Sequence, residues 1–256
     1  MNLEFYIKKL NDLFSNQEID EESLDYTQFD THMAFLKQLA VVENSSMSVF
    51  DLNKKKYVFV QSKFLSLLGI ELEEMMKGGP QMFYSIMHPS DVPFIIDTYY
   101  LFVDFLKKVS SDERKSFKLI CDFRLKDKTG KYFRFIYQML PLELDKKGNI
   151  WLMLITYDLI SGNVDSFKSQ RKIINVKTSE LYFFPKDSRD DQKNSLTKRE
   201  VEILGLLAKG MASKKIADEL FLSVNTVNNH RRNILEKTKS ENTAMAIQYG
   251  ISLGLL

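Results

Sequence analysis

The chain reads as an α+β protein of two domains, and three observations lead there. Its 256 residues exceed what one compact unit usually needs, since such units run about 100–200 residues. The middle of the chain alternates short β-like runs with polar turns. The C-terminal quarter carries only helical periodicity, punctuated by capping residues.

Composition narrows the class. Hydrophobic residues make up 44% and charged residues 27%, ordinary for a soluble globular protein. The formal net charge of +2 is too small to imply a nucleic-acid partner, so any basic footprint must be local. A single cysteine, Cys121, excludes an intramolecular disulfide and points to a reducing compartment. Charge at Lys8 and Lys9 interrupts the N-terminus before an export signal develops. The greasiest stretch, Tyr99 to Val103, ends at Asp104, far short of the ~18–20 apolar residues of a membrane span. The expectation is a cytoplasmic protein with no membrane partner.

Residues 1–45 read as an N-terminal helical cap. Leu3, Ile7, Leu10, Leu13 and Phe14 recur at helical spacing. A second pattern begins after Asp30, a plausible N-cap, and runs through Met33, Phe35, Leu36, Leu39 and Ala40. Such helices either cap the next domain or offer a partner surface.

Residues 46–160 change pattern. Met47 to Asp51 and Tyr57 to Val60 are β-like runs around the turn Asn53 to Lys56. Short helical segments follow over Ser62 to Leu68 and Leu72 to Lys77. Gly78-Gly-Pro80 breaks the chain, and Ser90-Asp91 starts a longer helix through Phe94, Ile95, Tyr99, Phe102 and Phe105. Three strands close the segment, Phe117 to Lys126, Tyr132 to Leu142 and Ile150 to Leu159, joined by turns at Asp127 to Gly130 and Asp145 to Asn149.

Three stretches of this segment resemble a PAS domain. Tyr57 to Gly69 is similar to the strand leading into that family's first helices. Met87-His-Pro-Ser-Asp-Val92 is similar to its His-Pro-Asp-Asp loop, and Phe123 to Arg134 to its hairpin. The resemblance implies a PAS-like five-stranded antiparallel sheet with helices packed on one face. It also implies a sensor of small molecules, light, redox state or partner proteins. No cofactor is evident, and an unidentified small-molecule ligand is expected in this domain.

Residues 161–194 turn polar and charged and read as a linker, with Lys168 to Val176 either a basic connecting helix or a solvated surface.

The remainder, 195–256, reads as four helices. Thr197-Lys-Arg-Glu200 is a capping box that starts a helix with Val201, Leu204, Leu207 and Ala208 on one stripe, stopping near Gly210. Ser213 is placed to cap a short helix carrying Ile216, Ala217 and Leu220, and Ser223 to cap a third. Residues 213–232 therefore form a helix-turn-helix. At about 100° per residue, Val224, Val227, Ile234, Leu235 and Thr238 fall towards the core. Asn225, Asn229, Arg232 and Glu236 fall on the opposite arc, with Asn228 at its edge. Amides suit adenine and guanidinium suits guanine, so this face is chemically fitted to read base edges.

Leu196 to Leu204, Gly210, Ser213-Lys-Lys-Ile-Ala217 and Ser223 to Lys237 together resemble a LuxR/GerE-type DNA-binding domain. The resemblance places base reading on Asn228, Asn229 and Arg232, and phosphate contacts on Lys215, Thr226, Arg231 and Lys237. Many members carry lysine where this chain has Asn228, which trades a general cation for an amide. The resemblance further implies that the last helix, carrying Ala244, Met245, Ile247, Tyr249, Ile251, Leu253 and Leu255, pairs two domains, so a homodimer on double-stranded DNA is expected. RNA polymerase is the further partner of such a regulator.

Catalytic and metal sites find no support. There is no phosphate-binding glycine loop, metal-ligand spacing or nucleophile elbow, so an enzyme is not expected. His230 reads as packing or a phosphate contact, His88 as a loop residue, and Glu200 with Glu202 as helix capping and ion pairing. Cys121 reads as a buried residue or surface thiol, with redox sensing the minority reading. Trp151 and the phenylalanines read as core, some of them fit to line a pocket. The function expected is a DNA-binding transcription regulator; the alternative is an interaction scaffold whose DNA-binding domain merely anchors it.

Overall fold

The computed structural model describes residues 8, 12, 19–42, 46–160, 164, 169–178, 180–182, 196–238, 240–252 and 255–256. Of the helix expected over Leu3 to Phe14 only Lys8 and Asp12 are described, both helical and exposed, and the polar run 183–194 lies outside the described residues. Two compact units emerge, Met1–Leu159 with Ser169–Tyr182, and Ile160–Lys168 with Phe183–Leu256.

The first described helix of the N-terminal unit, α1 (Tyr26–Val42), starts earlier than its sequence pattern suggested. The Asp25 carboxylate accepts from the Thr27 amide at 3.0 Å, so the capping acid is Asp25 and not Asp30. Phe29, Leu36 and Ala40 are buried against Met47, Val49, Phe59, Trp151 and Leu152 of the sheet. Phe35, expected on that face, is instead 62% exposed.

The sheet contains β1 (Ser46–Asp51), β2 (Lys56–Gln61), β3 (Phe117–Lys126), β4 (Tyr132–Leu144), β5 (Ile150–Ile160), β6 (Arg171–Asn175) and β7 (Leu181–Tyr182). Their spatial order is β2-β1-β5-β4-β3-β6-β7. The five expected strands are consecutive neighbours within it, in the order β2-β1-β5-β4-β3. Between β2 and β3 run α2 (Leu65–Leu68), α3 (Leu72–Gly78), α4 (Gln81–Ile86) and α5 (Asp91–Lys108). Met75, Tyr84 and Tyr99 of these helices share a cavity wall with Tyr57, Phe123, Phe135 and Tyr137 of the strands. The resemblance implied helices on one face, whereas here α1 covers the other.

Two strands are additions. Arg171–Asn175 pairs antiparallel with β3 from Phe117↔Asn175 to Cys121↔Arg171, where a linker or basic helix was expected. Ile173 and Ile174 are buried there, and β-branched pairs favour a strand once an open edge is offered. Arg171 is not solvated either. Its Nη1 donates to Asp97 Oδ2 at 3.0 Å and Thr98 Oγ1 at 3.1 Å.

Two buried arginines lie directly opposite across β3 and β4, Arg124 against Arg134. Like charges so placed repel, and each carries its own carboxylate. Arg124 donates from Nε to Asp91 Oδ2 at 3.0 Å and from Nη2 to Asp91 Oδ1 at 2.7 Å, tying β3 to the start of α5. Arg134 pairs with Asp122, whose Oδ1 also accepts from the Gln170 amide at 2.6 Å. The loop expected to be structural is so: His88 Nδ1 lies 2.9 Å from Ser90 Oγ, and its ring packs edge-on to Tyr132.

The C-terminal unit has four helices, α6 (Lys198–Ala208), α7 (Ser213–Glu219), α8 (Val224–Thr238) and α9 (Thr243–Ser252). Its core joins all four through Ile203, Leu204, Leu206, Ile216, Ala217, Val227, Ile234 and Ala246. The buried stripe of α6 is thus centred on Ile203, not on the expected Val201 and Ala208, the latter being exposed.

Candidate nucleic-acid interface

The helix-turn-helix is set by its caps. Thr197 Oγ1 accepts from the Glu200 amide at 3.2 Å while Glu200 Oε2 accepts from the Thr197 amide at 2.7 Å, the reciprocal pair the sequence suggested. At the far end of α6, Gly210 takes φ +78°. The Met211 amide then reaches the Leu206 carbonyl at 3.1 Å, and the Gly210 amide reaches Leu207 at 2.9 Å. This Schellman closure turns the chain into α7. Ser213 does not cap α7. The N-cap is Ala212, and the Ser213 hydroxyl accepts from Arg231 Nη1 at 2.7 Å.

A second closure of the same form ends α7. The Leu222 amide bonds the Ala217 carbonyl at 2.9 Å, and Phe221 occupies the left-handed position with φ +55°. Its ring is 95% exposed. Arg199 buttresses the turn, its Nη2 donating to the Leu220 carbonyl at 2.9 Å and its Nη1 to Glu202 at 2.6 Å. Sequence reasoning missed this role; only the i,i+3 spacing to Glu202 hints at it.

Helix α8 starts where expected, with Ser223 Oγ accepting from the Thr226 amide at 3.0 Å. Val227, Ile234 and Thr238 fix its inner face, while Val224, expected to point inward, is exposed. Asn228, Asn229 and Arg232 are all exposed on the outer face. Arg232 Nη2 donates to Asn229 Oδ1 at 3.4 Å, so two of the three base-reading candidates lie side by side.

The four phosphate candidates separate into two kinds. Lys215 is exposed on α7, and Thr226 is half-buried with its hydroxyl 2.8 Å from Ser223 Oγ. Arg231 and Lys237 hold the fold. Arg231 bonds Ser213 of α7 and, at 3.2 Å, Thr243 Oγ1 of α9. Lys237 Nζ lies 2.7 Å from Glu200 Oε2, joining α8 to α6. Burial would raise the Glu200 pKa, but the Lys237 ammonium and the amide and hydroxyl of Thr197 outweigh it and hold it below the ordinary value. His230 is half-buried, and no group of three metal-ligating side chains occurs among the described residues.

Residues 194–249 match the family profile of bacterial regulatory proteins, luxR family. The C-terminal unit is a LuxR-type helix-turn-helix domain. Similar curated proteins include the oxygen regulatory protein NreC of Staphylococcus carnosus (strain TM300), 40% identical over 70 residues, which are 27% of this chain and 32% of that one. NreC of Staphylococcus aureus (strain JH9) is 37% identical over 87 residues, 32% of this chain and 40% of that one. The chain thus spans well under half the length of these relatives. Among solved structures, the phage VqmA-DPO complex aligns over 88% of this chain and 89% of that one, at 16% identity and a TM-score of 0.35. A light-oxygen-voltage domain aligns over 49% and 84%, at 17% identity and a TM-score of 0.38.

The N-terminal unit offers a different feature. Between its sheet and α3 to α5 lie two adjoining cavity lobes that share Pro80, Tyr99, Tyr137 and Ile155. Both are small, about 20 Å³ in one lobe and about 30 Å³ in the other, and partly open towards solvent. Cys121 is buried in β3, and burial followed by the nearby Asp122 raises its thiol pKa well above the usual value. A thiol so held is a poor redox sensor.

Proposed function

We propose that the chain is a sequence-specific DNA-binding transcription regulator whose PAS-like unit senses a small molecule and biases a dimeric helix-turn-helix. One observation carries the reading: α8 locks one face into a four-helix core and presents Asn228, Asn229 and Arg232 outward together. These are the side chains that pair bidentately with adenine and guanine. Lys215 on the exposed side of α7 supplies a backbone cation, and the α8 N-terminus behind Ser223 adds amides and a positive dipole end for a phosphate.

Pairing through α9 fits the same reading. Ala246 and Tyr249 face the domain core, while Ile251 is 59% exposed on the far side. A two-fold axis there sets two recognition helices roughly 34–36 Å apart, one turn of DNA. RNA polymerase would be met by the assembled dimer on its promoter.

Selection of bound duplexes from a random pool tests this directly, and an enriched inverted repeat is expected. On that duplex, Lys215→Ala should weaken binding to all sequences and reduce the salt slope by about one. Recovery of unenriched sequence, or no retention of DNA, would refute the proposal.

A further inference from the structure

Two large apolar side chains of the helix-turn-helix are exposed, Phe221 in its turn and Val224 at the first position of α8. Val224 belongs to the reading helix itself. Helical periodicity turns it towards the core, yet it is 41% exposed. The helix does not depend on a valine there. Its N-terminus is capped by Ser223 Oγ on the Thr226 amide, and its inner face rests on Val227, Ile234 and Thr238. A β-branched side chain lowers helix propensity, and an acid in the first turn would favour the positive end of the helix. That turn carries no acid, which leaves the end of α8 free to approach phosphates.

The position of Val224 says more than its propensity. At about 100° per residue it stands about 40° from Asn228, one turn further on, and about 80° from Arg232. It therefore extends the exposed arc of Asn228, Arg232 and Asn229 to the N-terminal end of α8, the end that a recognition helix turns to base edges. Amides and guanidinium along that arc answer hydrogen-bonding atoms. The two methyls of Val224 answer none. In a major groove the apolar group that a base displays is the C5-methyl of thymine, and neither cytosine nor a purine shows one.

We propose that Val224 is a further specificity residue, packing on the C5-methyl of a thymine close to the base pair met by Asn228. One turn of helix rises about 6 Å and one base pair about 3.4 Å, so the two positions lie about two base pairs apart. The proposal deepens the DNA-binding reading above and rests on it.

Two random duplex pools test it, one made with thymine and one with deoxyuridine in its place. Deoxyuridine removes the methyl and keeps the hydrogen-bonding edge. The full chain and its Val224→Ala variant each select from both pools. From the thymine pool the full chain should enrich a repeat with one thymine column in each half-site, and that preference should vanish from the deoxyuridine pool. On the enriched duplex, replacing that thymine by deoxyuridine in one half-site should weaken binding about four-fold, the contribution of one buried methyl. Val224→Ala should bind the deoxyuridine and thymine duplexes equally. Each comparison sets two duplexes against one protein, so any change in the variant's stability cancels. Binding by the full chain that ignores every thymine methyl would overturn the proposal. So would a Val224→Ala variant that keeps the four-fold difference, which would assign the methyl to another side chain. A chain that enriches nothing from either pool loses the regulator as well, whereas one that enriches a methyl-independent repeat keeps the regulator and loses only this contact.

Discussion

In the C-terminal unit, the polar side chains best suited to recognition face outward: Asn228, Asn229 and Arg232 are exposed on a helix whose other face is locked in the core. In the N-terminal unit they face inward: Ser48, Tyr84 and Tyr157 are buried around a cavity. The charged groups are arranged the opposite way in each unit's frame. The sheet neutralises Arg124 and Arg134 internally with Asp91 and Asp122, whereas the helical unit leaves Lys215 and Arg232 uncommitted to any carboxylate among the described residues. A surface so built suits a charged polymer, whereas the sheet keeps its buried charges paired within the fold.

The largest expected effect tests whether the inward unit depends on that neutralisation. Asp91→Ala leaves the Arg124 guanidinium buried without its carboxylate, which should cost about 3–5 kcal/mol. Denaturant unfolding followed by the fluorescence of Trp151, the lone tryptophan, should show the loss. Duplex binding by the C-terminal unit should survive at concentrations where the sheet has melted. Simultaneous loss of both would show that the two units do not fold separately.

Arg231 and Arg232 are adjacent in sequence and sharpen the contrast within one helix. Arg231→Ala removes two cross-helix bonds and should lower stability of the helical unit by about 1–3 kcal/mol. Arg232→Ala should leave stability unchanged and cost about 1–3 kcal/mol of binding, concentrated at one base position. Thermal unfolding and binding to single-base variants separate the two. An equal loss on every sequence would recast Arg232 as a phosphate contact.

Much of this division was legible in the sequence, because helical periodicity tells outside from inside. The arc containing Asn229 and Arg232 followed from about 100° per residue. Periodicity does not give reach. The resemblance put phosphate contacts on Arg231 and Lys237, and the sequence did not show that both also bond to other helices, at Ser213, Thr243 and Glu200. Strand β6 was hidden for a similar reason. Arg171 and Lys172 made the segment look solvated, and only the open edge of β3 turns Ile173 and Ile174 into sheet core. The cavity was the least legible feature, since its hydroxyls come from β1, α4 and β5 and no local pattern links them.

Acid should act on the helical unit through Glu200. Its pKa is depressed in the fold, so the stabilisation is present above the unfolded carboxyl pKa and is lost as pH falls through the folded value. The unfolding midpoint of the isolated transition should therefore fall as pH drops below about 4.5. Glu200→Gln should flatten that dependence. A slope unchanged in the variant would move the acid sensitivity to another carboxylate.

The smallest effect concerns the two left-handed turns that frame α7. Gly210 closes α6 and Phe221 closes α7 with the same pair of bonds, yet only the first uses the residue suited to positive φ. A side chain in that region costs roughly 1–2 kcal/mol, and glycine gives back about 0.5–1 kcal/mol through the unfolded chain. The Phe221 ring, 95% exposed, adds no packing against the fold. Phe221→Gly should therefore stabilise the helical unit by about 0.5–1 kcal/mol, measured as a rise in its denaturation midpoint. Gly210→Ala, which imposes on α6 the strain that Phe221 imposes on α7, should lower it. A midpoint that falls in Phe221→Gly would mean that the ring does pack in solution and that the turn is less open than its exposure indicates.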